Sequence, residues 1–132
     1  MAEKAKVLVV DDQIGVIESF KEILRIKDFE TFGFQNGKEA IESMKTNKYD
    51  MAFVDLKMPE MDGIEVLKNI KESDKTVEVI IVTAYASEES FANAITLGAM
   101  EYLRKPFLMG EVYALADRAL RKRREKLGAQ QK

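Results

Sequence analysis

At 132 residues, with 46% hydrophobic and 33% charged residues, the chain has the composition of an ordinary globular protein. It contains neither cysteine nor histidine, which excludes disulfides, thiolate chemistry and histidine-ligated metals and leaves carboxylates and lysine to carry any site chemistry. Its formal net charge of −2 gives no broad positive field, so we expect no direct binding of nucleic acid.

A single domain is predicted, because nothing in the composition marks an internal linker. Its core is expected at about residues 5–122, with residues 123–132 forming a basic helix end and a tail that frays from Gly128 onward. The apolar run at residues 7–10 is too short for a signal peptide or a membrane span, so we expect a cytoplasmic protein without a membrane segment.

Strand and helix signals alternate five times along the chain. Short runs rich in β-branched or aromatic residues predict strands at residues 7–10, 31–34, 51–54, 79–82 and 102–103. Apolar residues at helical spacing follow each strand: Val16, Phe20, Ile23 and Leu24; Ala40, Ile41 and Met44; Ile64, Leu67 and Ile70; Phe91, Ala94 and Ile95; Val112, Leu115, Ala116, Ala119 and Leu120.

Helix boundaries agree with this alternation. Asn36 and Ser87 are predicted N-caps, and Gly98 is predicted to end the fourth helix. The basic run at residues 121–126 is interpreted as a solvated helix end that complements the helix dipole. Five strand-then-helix units predict a doubly wound α/β fold, a mostly parallel sheet with helices on both faces.

Chemistry-bearing side chains follow four of the five predicted strands. They are Asp11 and Asp12 after the first strand, Asp55 after the third, Thr83 after the fourth and Lys105 after the fifth. In open α/β sheets, ligands bind beyond the carboxyl ends of the strands. If the first and third strands are neighbours, three carboxylates converge there, and an oxygen-preferring cation such as Mg²⁺ would relieve their repulsion. Lys105 adds a positive charge suited to a phosphoryl oxygen.

Four segments resemble the signature segments of response-regulator receiver domains, in the family's order and spacing. They are Val7 to Asp12, Val54 to Gly63, Val82 to Ala84, and Lys105 to Phe107. The resemblance covers about residues 5–122 and implies a flavodoxin-like receiver fold, with five parallel strands in the order 2-1-3-4-5 and five helices.

The resemblance also implies a role for each site residue. Asp55 is the implied phosphoacceptor. The implied Mg²⁺ site consists of Asp11, Asp12, Asp55 and the backbone carbonyl of Lys57. The implied phosphoryl-binding groups are Thr83, Ala84 and Lys105, and the implied switch residues are Thr83 and Tyr102. Loop geometry is assigned to Pro59, Gly63 and Pro106, with a cis Lys105–Pro106 bond, and the residues implied to flank the hydrolytic water are Lys57 and Tyr85.

Partners follow from the same resemblance. The implied phosphoryl donor is a histidine of a sensor kinase or of a phosphotransfer protein. The implied output face consists of the fourth helix, fifth strand and fifth helix. This face is expected to change on phosphorylation and then bind a partner or form a homodimer. The chain is either a stand-alone regulator or the receiver of a longer protein with a C-terminal output domain. Its Asp55 segment and basic last helix resemble receivers that precede a transcription-activating ATPase.

Three other functions compete with this one. A flavin- or nucleotide-binding protein needs a Gly-rich phosphate loop after the first strand, where this chain has acidic residues. An aspartyl-phosphate phosphatase usually carries a second Asp two residues after the nucleophile, where this chain has Lys57. A pseudo-receiver that serves only as a scaffold is disfavoured because each expected site residue is present.

Overall fold

The computed structural model describes residues 4–130. Ten elements alternate along the chain: β1 (Lys6–Val10), α1 (Ile14–Ile26), β2 (Glu30–Phe34), α2 (Gly37–Ser43), β3 (Met51–Asp55), α3 (Gly63–Ser73), β4 (Glu78–Thr83), α4 (Glu88–Thr96), β5 (Glu101–Arg104) and α5 (Met109–Gln130). The strands are parallel and lie in the order β2-β1-β3-β4-β5. The predicted fold and strand order are confirmed.

The core consists of two layers, one on each face of the sheet. Successive residues of a strand point to opposite faces, so β1 contributes Leu8 to one layer and Val9 to the other. Helices α2, α3 and α4 cover the first face, and α1 and α5 cover the second. This double cover explains why β1, β3 and β4 are continuous apolar runs and not alternating ones.

The predicted helix caps are present. The side chain of Asn36 accepts a hydrogen bond from the Glu39 N–H at 2.9 Å, and Ser87 caps α4. Gly98, just after α4, has φ +103°, a backbone conformation that favours glycine. Asp62 caps α3 by accepting from the Glu65 N–H at 3.0 Å and is a further N-cap beyond the two predicted ones.

Helix α5 differs from its prediction at the C-terminal end. It continues to Gln130, so Gly128 and Ala129 are helical where fraying was expected, and residues 131–132 lie outside the described part of the chain. Two members of the basic run form ion pairs with residues at the edge of the sheet, where a solvated helix end was expected. Arg123 lies 2.9 Å from the Asp50 carboxylate, and Lys126 forms an ion pair with buried Glu78. These contacts hold the helix against the amino-terminal edge of the sheet.

Within residues 4–130, no helix combines the length and the apolarity needed to span a lipid bilayer.

Candidate functional site

Three carboxylates meet at the carboxyl edge of the sheet. β1 and β3 pair directly, with Val10 opposite Val54, so the residues that follow them are neighbours. Asp11, Asp12 and Asp55 each place an oxygen within 4.8 Å of the others. Asp11 and Asp55 are buried, and Asp12 is more exposed. The convergence expected from strand adjacency is therefore present, and the donor set consists of the oxygen ligands that hard cations prefer.

Lys105 lies against this carboxylate cluster. Its Nζ is 2.9 Å from Asp11 Oδ2 and 3.7 Å from Asp55 Oδ1. The Lys105 backbone N–H donates to the Thr83 carbonyl at 2.9 Å, which fixes the start of the loop after β5. The Lys105–Pro106 peptide bond is cis, as predicted. One ammonium group thus faces three carboxylates, and the site retains an excess of negative charge.

The electrostatics of the site act most strongly on Asp55. Burial raises the pKa of Asp55 from 3.8 to about 6, and the negative charges of Asp11 and Asp12 also raise it. The Lys105 ammonium and the Lys57 backbone N–H oppose this rise in the pKa. A carboxylate whose charged form is destabilised in this way gains from a bound cation. The site therefore fits a divalent metal ion held by oxygen.

Thr83 and Tyr102, the implied switch residues, form separate hydrogen bonds in this structure. Buried Thr83 accepts the Tyr85 N–H at its Oγ1 at 2.9 Å, and this bond does not use the hydroxyl hydrogen. The Tyr102 hydroxyl is hydrogen-bonded to Ser90 Oγ on α4. The Tyr102 ring is half-buried and packs edge-on against Phe91, with a centroid separation of 5.5 Å. Their coupling stays a prediction.

A small cavity of about 160 Å³ lies above the acidic cluster. Its lining residues are Asp12, Gln13, Asp55, Lys57, Ala84, Tyr85 and Lys105. The Lys57 ammonium lies 5.8 Å from the centroid of the Tyr85 ring, within the range of a cation–π interaction, so the two residues implied to flank water lie beside each other at the cavity. Gln13 was missed as a lining residue, although its position directly after the paired aspartates was the available signal.

Steric constraints explain the glycine at position 63. A Cβ at Gly63 would lie 2.3 Å from the Asp55 carbonyl oxygen, so only glycine permits this close approach of α3 to the end of β3. The Gly63 N–H donates to the Leu56 carbonyl at 2.9 Å, and the Met61 N–H donates to the Pro59 carbonyl at 2.8 Å. These contacts give the loop after Asp55 a defined path.

The sequence of this chain matches a known protein family. The family model "Response regulator receiver domain" matches residues 7–117. The chain belongs to this family. It is 36% identical over 107 residues to the sporulation initiation phosphotransferase F of Bacillus subtilis (strain 168), covering 81% of this chain and 86% of that protein. It is 35% identical to the regulatory protein AtoC of Escherichia coli (strain K12), covering 87% of this chain but only 25% of AtoC.

Solved receiver structures resemble this one closely. A CheY-like receiver domain protein of Methanospirillum hungatei JF-1 superposes with a TM-score of 0.90 at 25% identity, covering 94% of this chain and 99% of that chain. NtrX of Brucella abortus gives a TM-score of 0.90 at 25% identity, covering 97% of this receiver and 30% of NtrX. Family membership therefore argues against the nucleotide-binding alternative, and it identifies the chain as a receiver of two-component response regulators.

Proposed function

We propose that this receiver accepts a phosphoryl group onto Asp55 from a histidine of a partner kinase or phosphotransfer protein. The observation that supports the proposal is the meeting of Asp11, Asp12 and Asp55 with Lys105 at one edge of the sheet. In the transfer, an oxygen of Asp55 forms a bond to phosphorus as the bond from phosphorus to the donor nitrogen breaks in line with it.

Residues of this chain have distinct tasks in that transfer. Asp11, Asp12, Asp55 and the Lys57 carbonyl are the residues that would hold Mg²⁺, which would neutralise negative charge on the carboxylates and the phosphoryl group. Lys105 already contacts the cluster and pairs with a phosphoryl oxygen. Thr83 has a hydroxyl hydrogen that it can donate to a phosphoryl oxygen. Ala84 lines the cavity above the acidic cluster.

Phosphorylation is tested by intact mass after incubation with acetyl phosphate and Mg²⁺. We expect one phosphoryl mass on the wild-type protein and none on Asp55→Asn. The matched control is Asp117→Asn, which makes the same chemical change at a partly exposed carboxylate on α5 that pairs with Lys27. Full labelling of Asp55→Asn would refute the assignment, and loss of labelling in Asp117→Asn would show that the assay reports general charge and not the site.

The phosphoryl group is expected to persist for minutes or longer. Lys57 and Tyr85 are bulky, both line the cavity, and neither has a carboxylate or amide that would orient an attacking water. Lys57→Asn opens the cavity and introduces an amide, so we expect it to shorten the lifetime several-fold. Loss of the phosphoryl mass with time measures this, and a wild-type half-life of seconds would contradict the account.

The output is proposed to be a change in the face formed by α4, β5 and α5. Thr83 must leave its bond with the Tyr85 N–H, or use its free hydroxyl hydrogen, to reach a phosphoryl group on Asp55. Tyr102 lies on β5, the strand next to β4. Its partner on β4 is Ile81, two residues before Thr83. A bound group shifts such an equilibrium only through its different affinities for the two states.

Thr83→Ala is therefore expected to accept the phosphoryl group on Asp55 but to lose most of the phosphorylation-dependent association with a partner or a second copy. Light scattering with and without beryllofluoride, on wild type and on Thr83→Ala, measures this. Thr83→Ser, which retains the hydroxyl, should keep the response. If beryllofluoride leaves wild-type association and the Tyr102 environment unchanged, the switch hypothesis fails while the phosphoacceptor assignment stands.

The proposal extends to the cellular location, the domain organisation and the partner of this protein. We place the protein in the cytoplasm. It consists of one receiver domain with a core at about residues 5–122, and its partner is a histidine kinase or a phosphotransfer protein. It acts as a switch that assists its own phosphorylation and dephosphorylation. The chain spans most of its Bacillus subtilis relative but a quarter of AtoC, so both a stand-alone regulator and a receiver joined to an output domain fit. A native reading frame that continues beyond Lys132 would decide between them.

A further inference from the structure

Ser90, the third residue of α4, has an unusually crowded hydroxyl group. Its Oγ lies 3.3 Å from the Ser87 backbone nitrogen, 3.0 Å from Ser87 Oγ and 3.2 Å from the Ser87 carbonyl oxygen. The Tyr102 hydroxyl is a fourth polar neighbour. A serine hydroxyl has one hydrogen to donate and two lone pairs to accept with, so it can serve at most three of these four atoms at one time.

The Tyr102 contact is the one that joins α4 to another element. The other three neighbours belong to the reciprocal cap of α4, in which the Ser90 N–H also donates to Ser87 Oγ at 3.1 Å. In one complete set of bonds, Ser90 accepts from the Tyr102 hydroxyl and the Ser87 N–H and donates to the Ser87 carbonyl. If Tyr102 leaves, Ser87 Oγ can take its place as donor, so the helix keeps its cap.

Ser90 also faces the loop that follows the proposed phosphoacceptor. A cavity of about 500 Å³ lies between that loop and α4, and its lining residues are Leu56, Lys57, Met58, Pro59, Asp62 and Ser90. The serine therefore lies between the loop after Asp55 on one side and Tyr102 on the other. Its position allows the loop after β3 and the ring on β5 to act on the same turn of α4.

Two contacts from α4 fix the Tyr102 ring in its present orientation. The hydroxyl is bonded to Ser90, and the ring packs edge-on against Phe91 at an interplanar angle of 85°. Phe91 is itself 43% exposed and can adjust to a different ring position. The hydrogen bond fixes the position of the Tyr102 hydroxyl, whereas the edge-on ring contact can re-form when the partly exposed Phe91 ring moves. Ser90 is therefore the contact that selects one orientation of Tyr102.

We propose that Ser90 is a positioning residue for the switch: its hydroxyl holds Tyr102 against α4, and the ring can be released without loss of the helix cap. The role in signalling rests on the proposed function, whereas the hold on Tyr102 does not. Replacing the hydroxyl should free the ring even in a protein that carries no phosphoryl group.

Fluorine NMR of protein labelled with fluorotyrosine tests this, with the Tyr102 resonance assigned by its loss in Tyr102→Phe. We expect Ser90→Ala to shift the Tyr102 resonance in the absence of any phosphoryl mimic, and Ser90→Thr to leave it near the wild-type position because the hydroxyl is retained. Ser87→Ala is the matched control, because it weakens the same cap without removing the atom that Tyr102 contacts. Its Tyr102 resonance should not move.

An unshifted Tyr102 resonance in Ser90→Ala would overturn the proposal. An equal shift in Ser87→Ala would also overturn it, because the effect would then come from loss of the cap. Beryllofluoride is added to the same samples to read the signalling role. If the mimic does not move the Tyr102 resonance of the wild type, the proposed switch is wrong and the signalling role of Ser90 is lost with it. A shift in mimic-free Ser90→Ala would still support the hold on Tyr102.

Discussion

Removal of Mg²⁺ with EDTA is expected to slow the phosphorylation of Asp55 by acetyl phosphate by at least about 100-fold, the order lost when one preorganised electrostatic contact is removed from a reaction site. The reason is the charge balance, since the carboxylates of Asp11, Asp12 and Asp55 outnumber the ammonium groups of Lys105 and Lys57 that line the site. An anionic donor approaching three carboxylates is repelled unless a cation lies between them.

The initial rate of mass gain measures this effect over a range of Mg²⁺ concentrations. Asp12→Asn should require more Mg²⁺ to reach half of its maximal rate, because it removes one carboxylate from the cluster. Asp62→Asn is the matched control, since it makes the same change on the loop after β3 and asparagine is an equally good helix cap. A wild-type rate that is unaffected by EDTA would contradict the proposed metal site.

Asp55→Asn is expected to stabilise the metal-free protein at pH 7 by between about 1 and 3 kcal/mol. The pKa of Asp55 is raised from 3.8 to about 6, so the folded protein binds this proton more tightly than the unfolded chain does. The difference between these pKa values corresponds to about 3 kcal/mol at most, and loss of the Lys105 contact in the variant reduces the gain.

The pH dependence has a definite sign. Because the folded pKa is the higher one, the contribution of Asp55 to stability is fully present below about pH 4 and is lost as the pH rises through about 6. Urea unfolding in EDTA should therefore show the advantage of Asp55→Asn over wild type growing between pH 5 and pH 7. Equal or lower stability of Asp55→Asn at pH 7 would contradict the assigned electrostatics.

The fold could be predicted from the sequence because β1, β3 and β4 are covered on both faces and show it as continuous apolar runs. The convergence of Asp11, Asp12 and Asp55 was predictable for a related reason, since each lies at the carboxyl end of a strand and parallel strands end at one edge of the sheet. The apolar runs and the aspartates that end them can be read from short segments of sequence. The alternation of strands and helices then predicts that these strand ends lie at one edge of a parallel sheet.

The surface of α4 could not be predicted in this way. Helical spacing grouped Phe91, Ala94 and Ile95 as one apolar face, but only Ala94 is buried, and Phe91 and Ile95 are 43% and 40% exposed. Periodicity reports which residues share a face of a helix, not how much of that face another element covers. The exposed part of this face is where the proposed output surface lies.

Polar contacts between residues far apart in the sequence could not be predicted either. Arg123 and Asp50 are separated by 73 positions, and nothing in the basic run distinguished Arg123 and Lys126 from their solvated neighbours. The bond between Ser90 and Tyr102 has the same character, because it depends on how α4 is oriented over β5. Side-chain pairs of this kind follow from tertiary packing and carry no local signal.

Locating the phosphoryl group within the chain decides whether Asp55 is the phosphoacceptor. Borohydride reduces an aspartyl phosphate to homoserine, so reduction of the phosphorylated protein followed by peptide mass mapping marks the modified position. We expect homoserine at position 55 in wild type, and none there when acetyl phosphate is omitted. Homoserine at position 11 or 12, or an unreduced phosphoryl group on a serine or threonine, would contradict it.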